Sequence, residues 1–132
     1  MSRDTARGYA ALVGVVLIAV GLIGFVDNPL VGRTGLFTTD TIHNLVHIVS
    51  GAIALAISFG RTESAVSNGL IGFGVLYAVV FVLLLVSPTM FGILTVPVNG
   101  ADHVLHAALA IVSLAVGFAT RAGGRMVAAA GR

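Results

Sequence analysis

Gly69-Leu-Ile-Gly-Phe-Gly-Val-Leu-Tyr-Ala-Val-Val-Phe-Val-Leu-Leu-Leu-Val86 contains no charged residue and no proline. As a helix, a segment of about 18 residues rises about 27 Å, close to the hydrocarbon thickness of a bilayer. Three further segments read the same way: Tyr9 to Val26, Ile42 to Phe59 and Ala101 to Ala119. Across its 132 residues the chain is 58% hydrophobic and 9% charged. A soluble domain needs about a quarter of its residues charged to cover its surface. This chain must therefore turn its outside to lipid. The expected fold is all-α, a four-helix transmembrane bundle forming one integral membrane domain over residues 1–132.

The segments between the spans carry the topology. Ser2-Arg-Asp-Thr-Ala-Arg7 resembles the charged start of a signal peptide, but Asp27-Asn28-Pro29 follows the first span where a small-x-small cleavage site would stand. The first span is therefore read as retained. Gly60-Arg61-Thr62-Glu63-Ser64 is a short polar loop, so spans two and three form an antiparallel hairpin. Four spans put Arg3, Arg7, Arg61, Arg121, Arg125 and Arg132 on one side and Arg33 alone on the other. Positive charge favours the cytoplasm, so both termini are expected there, in the cell membrane. The loops Asp27 to Thr41 and Ser87 to Gly100 then face outward.

Composition also removes functions. Without cysteine there is neither a disulfide frame nor a thiolate metal site. No Gly-x-Ser-x-Gly elbow or phosphate loop occurs, and Tyr9, Tyr77 and the serines have no base at useful spacing. A non-enzymatic protein is expected. The arginines are too scattered for nucleic acid, so the bilayer is the expected partner. The tail after Thr120 reads as a membrane-surface anchor. Gly21-x-x-Gly24 and Gly69-x-x-Gly72 read as packing notches or as the face of a homo-oligomer or larger membrane complex.

All four histidines fall in two patches, Asp40-Thr-Ile-His43-Asn44-Leu-Val-His47 and Asn99-Gly-Ala-Asp102-His103-Val-Leu-His106. The patches superpose without a gap at an offset of 59 residues, placing His47 on His106, His43 on Asp102 and Pro29 on Pro88. Two pseudo-two-fold-related repeats of two helices each would explain the register and bring the second and fourth helices face to face. Helical geometry puts His43, Asn44 and His47 on one face. That face continues through Gly51, Ala54 and Ser58, and its equivalent after His106 through Ala110, Ser113 and Gly117. Such small stripes allow close helix approach or leave room for a flat cofactor.

The polar groups have structural and functional readings. Asn99 with Asp102, and Asp40 with His43, stand at cap and N3 spacing, where side chain and backbone can cap each other reciprocally. Asp102 gains further from the positive end of its helix. His103 is read as facing the interface. His47 and His106 lie deeper, where an ionisable group is costly and marks a functional site by default. One reading is a metal site from His43, His47, Asp102 and His106, suited to zinc, copper or iron, with Asn44 orienting a ligand. A second is haem b held axially by His47 and His106, with Gly51 and Ala110 beside the porphyrin. A third is a structural or accessory subunit in which the cluster is an interhelical hydrogen-bonded clasp. A proton path has no support, because ionisable groups occupy only one half of the bundle.

The combination of a proline, a Gly/Phe-containing loop, His43-Asn44-x-x-His47 with Gly51, and Asn99-x-x-Asp102-x-x-x-His106 resembles a family of small four-span membrane proteins, domain of unknown function 4383. The resemblance runs from about Tyr9 to Ala119. It implies asparagine after the aspartate, so His103 is a departure from the pattern. The family carries no established activity. The resemblance thus implies the fold and leaves function to the residues.

Overall fold

A computed structural model of the chain describes residues 1–26 and 28–131. Four long helices carry the architecture: α1 (Arg3–Ile23), α2 (Thr41–Ser58), α3 (Glu63–Val86) and α4 (Gly100–Ala130). All four contain stretches long and apolar enough to cross a membrane. The chain is a multi-pass, all-α membrane protein.

Local chemistry sets the helix starts. The Ser2 side chain accepts from the Thr5 amide at 3.2 Å, so α1 begins ahead of the apolar run, within its charged leader. The Asp40 carboxylate accepts from the His43 amide at 2.8 Å, and the Thr62 hydroxyl from the Ala65 amide at 3.1 Å. Asn99 and Asp102 cap reciprocally. The Asn99 side-chain oxygen accepts from the amides of Ala101 and Asp102, and Asp102 Oδ2 accepts from the Asn99 amide at 2.8 Å. α3 stops before Ser87-Pro88, where the proline disfavours helical backbone in the residue before it. α4 runs beyond the expected Ala119, to Ala130. A short bridge pairs β1 (Val31–Gly32) with β2 (Phe37–Thr38), and Met90–Gly92 forms a single 3₁₀ turn.

α1 packs chiefly on α2, and α3 on α4. Glycines make both contacts possible. A Cβ on Gly14 would stand 2.8 Å from the Gly51 carbonyl oxygen and 2.8 Å from the Leu55 amide nitrogen. A Cβ on Gly74 would stand 3.0 Å from the Ala110 carbonyl oxygen and 2.9 Å from the Leu114 nitrogen. The second contact thus falls on the residues of α4 that correspond to Gly51 and Leu55 at the offset seen in the sequence. α2 and α4, expected face to face, hardly approach at the backbone. Their small residues serve the neighbouring helices instead, and a gap opens between them.

Both termini of the bundle's helical path meet at one end. The Met1 amine donates to the Ala119 carbonyl at 3.0 Å. Arg3 donates to Arg61 O at 2.7 Å and Arg7 to Ser58 O at 2.6 Å, and Arg121 donates to the Asn68 side chain. Arg132, which the sequence assigns to this end, lies outside the described residues, as does Asp27 at the start of the first long loop. Leu17, Ala54, Phe73, Tyr77, Leu109 and Ala110 form the central core. The histidines lie on its far side, beneath the two long loops.

Candidate functional site

Three of the four histidines converge. His43 and His47 lie one turn apart on the same face of α2, and His106 reaches them from α4 across the gap. One ring nitrogen from each of the three lies within 4.8 Å of the other two. The His43 ring centroid is 4.5 Å from that of His47 and 6.0 Å from that of His106. All three side chains are buried, none more than 3% exposed.

Backbone carbonyls orient His43. Its Nδ1 lies 3.0 Å from Thr38 O and 2.9 Å from Pro97 O. A carbonyl oxygen can only accept, so Nδ1 carries the proton and donates to both. In the neutral ring this leaves Nε2 as a lone pair. That nitrogen is buried and has no partner among the described residues, and the same holds for both ring nitrogens of His47 and Nδ1 of His106. Such isolation is uncommon, because buried polar groups are nearly always paired. Locking one imidazole nitrogen to a carbonyl so that the other is free is how proteins orient metal-bound histidine.

Beside the rings lies a cavity of about 220 Å³. Its wall includes the three histidines, Ser50 and Tyr77, and is otherwise almost wholly apolar, with Leu84, Met90 and Val96 among its members. The Tyr77 ring is 5.9 Å from the His106 ring, and its buried hydroxyl makes no hydrogen bond among the described residues.

The remaining candidates lie elsewhere. Asp102 stands outside the imidazole group, because Oδ2 accepts from the Thr38 amide at 3.0 Å as well as from Asn99. It thereby ties the first long loop to the start of α4, while Oδ1 has no partner among the described residues. Asn99 extends the same tie by donating to Leu36 O and to the Thr38 hydroxyl, each at 2.9 Å. Asn44 turns toward α1, where its side chain meets Gly24 and its carbonyl oxygen lies over Gly21. Asp40 caps α2, but His43 does not return to the cap amide because its ring is committed to the two carbonyls. His103 is half-buried and set edge-on to Phe81 at 6.0 Å.

Gly51 and Ala110 are not in the cavity wall. Gly51 faces Gly14 and Ile18 on α1, and Ala110 faces Gly74 on α3. Gly21, Gly24 and Gly69 are likewise filled from within, by Asn44, Ile48 and Ile57, whereas Gly72 has nothing within 4 Å. Sequence reasoning passed over Ser50 and Met90 and gave Tyr77 no role; no spacing rule links Met90 or Tyr77 to the histidines. Ser50 does lie three residues from His47, a spacing that shares a helix face.

Neither a curated protein nor a solved structure matches the chain. Residues 7–119 match the profile of a family described as a domain of unknown function (DUF4383), a range that takes in α2 and α3, most of α1, the first two thirds or so of α4 and the three convergent histidines, and the chain belongs to that family.

Proposed function

We propose that this is a small, non-enzymatic metal-binding protein of the cell membrane, with His43, His47 and His106 as the ligands. One observation carries the reading: three buried imidazoles converge with free nitrogens and no hydrogen bond among them. A neutral imidazole must keep one N–H, and leaving it buried and unpaired costs about 1–3 kcal/mol. A clasp would use those protons between the rings. An ion uses the lone pairs instead, and frees the protonated nitrogens to find outer partners.

Dimensions favour an ion over haem. Three nitrogens bound tetrahedrally at about 2.0–2.1 Å lie about 3.3 Å apart. The widest pair here would close by about 1.5 Å, a small ring movement. A macrocycle would need a slot between His47 and His106, yet the His43 ring stands close to both. The 220 Å³ cavity is below the roughly 300 Å³ at which ordinary ligand pockets begin. The arginine distribution supports a cytoplasmic location for the termini, with the histidines near the outer face.

Cobalt(II) tests the site directly. Titration of the purified protein with cobalt should produce the intense visible bands of a low-coordinate ion, saturating at one per chain. His47→Ala and His106→Ala should each abolish them, while Asn99→Ala should retain them. A spectrum no different from aqueous cobalt would count against the reading. A Soret band after exposure to haem would favour the axial-histidine alternative.

A further inference from the structure

We infer that the site selects a cuprous ion, with the Met90 thioether completing the set of three imidazoles; this rests on the metal-binding reading above. The donor set is the first argument. Every nitrogen that converges on the site belongs to an imidazole, a ligand that adds no charge, and neither thiolate nor carboxylate joins the cluster among the described residues. A divalent ion held this way keeps both charges in an almost wholly apolar pocket within the membrane segment, where uncompensated charge is costly. A monovalent ion keeps one.

The fourth donor is the second argument. Met90 lines the same cavity as the three histidines and is the sulfur-bearing residue of its wall among the described residues. Thioether is a soft ligand that suits cuprous copper and has little to offer zinc, magnesium or calcium. Its backbone is held at φ 43°, and that of Phe91 at φ 59°, in the left-handed region unusual for residues other than glycine. Strain of this kind persists where surrounding structure enforces it, and clusters at ligand clamps. Here it sits on the 3₁₀ turn beside the cavity, between the end of α3 and the loop to α4. Met90 is half-buried, so its side chain borders the cavity and is also partly open to its surroundings.

Purified full-length protein, in detergent and under anaerobic reducing conditions, should be given copper as its cuprous bicinchoninate complex. Loss of the complex's colour reads transfer to the protein. Zinc should be titrated in parallel against a chromophoric zinc chelator. One cuprous ion per chain should transfer and should resist displacement by excess zinc. Met90→Leu should weaken cuprous binding by at least about tenfold and leave zinc affinity unchanged. The copper K-edge spectrum of the wild-type protein should contain a sulfur scatterer, a readout that depends on no variant folding. Zinc that displaces the cuprous ion, or a copper shell without sulfur, would overturn the inference. Binding of zinc or cobalt without cuprous copper would overturn it while leaving the metal-binding reading intact. Failure of zinc, cobalt, cupric and cuprous ions alike to bind would remove both.

Discussion

His43 does two things at once. Its Nδ1 proton joins the carbonyls of Thr38 and Pro97, which belong to different long loops, and its Nε2 is turned inward by that act. His43→Phe keeps a ring of similar size but removes both functions. It should leave two carbonyls without their donor and destabilise the protein by about 1–3 kcal/mol, read by thermal unfolding in detergent. It should also weaken metal binding at least tenfold or so. Asn99→Ala separates the two effects. Loss of the cap should cost about 1 kcal/mol with metal binding retained. The i, i+4 histidines and their match to His106 were legible in the sequence. The difference between Asp102 and the imidazoles was not, because it depends on the Thr38 amide, a backbone group that no side-chain spacing reports.

At the scale of elements, hydropathy alone located the four helices, since each span needs its own unbroken apolar run. Boundaries were less legible where composition and helix-forming ability disagree. α1 begins at Arg3 because Ser2 caps it, although the first residues are charged. α4 continues to Ala130 through a tail that reads as a surface anchor. The role of the small stripes was also hidden: periodicity gives a face but does not say which helix covers it. Gly14→Ala and Gly74→Ala should each force backbone apart and cost about 1–3 kcal/mol, because the added Cβ would meet main-chain atoms at 3.0 Å or less. Gly72→Ala meets nothing within 4 Å and should be neutral or stabilising by up to about 1 kcal/mol. Unfolding midpoints of the three variants in one detergent check the ranking. Equal effects at Gly14 and Gly72 would contradict it.

The whole molecule is polarised. Arg3, Arg7, Arg61 and Arg121 gather at the end that holds the chain's start, and the histidines gather at the other, roofed by the two long loops. Arginine placement supports the first end as cytoplasmic. A cysteine introduced at Thr34 or Thr95 should therefore react with an impermeant reagent on intact cells, and one at Ser64 should not. The reverse pattern would turn the site toward the cytoplasm. Directly beneath the loops, the gap between α2 and α4 is what allows three imidazoles and a 220 Å³ cavity to coexist in a bundle otherwise closed by glycine contacts. The central claim is that this gap holds a metal ion. Elemental analysis after exposure to zinc and to copper, followed by gel filtration, tests it most directly. The wild-type protein should retain one ion per chain, and the combined His43→Ala, His47→Ala, His106→Ala variant, folded by circular dichroism, should retain none. Equal metal content in the two proteins, or none in either, would contradict the account.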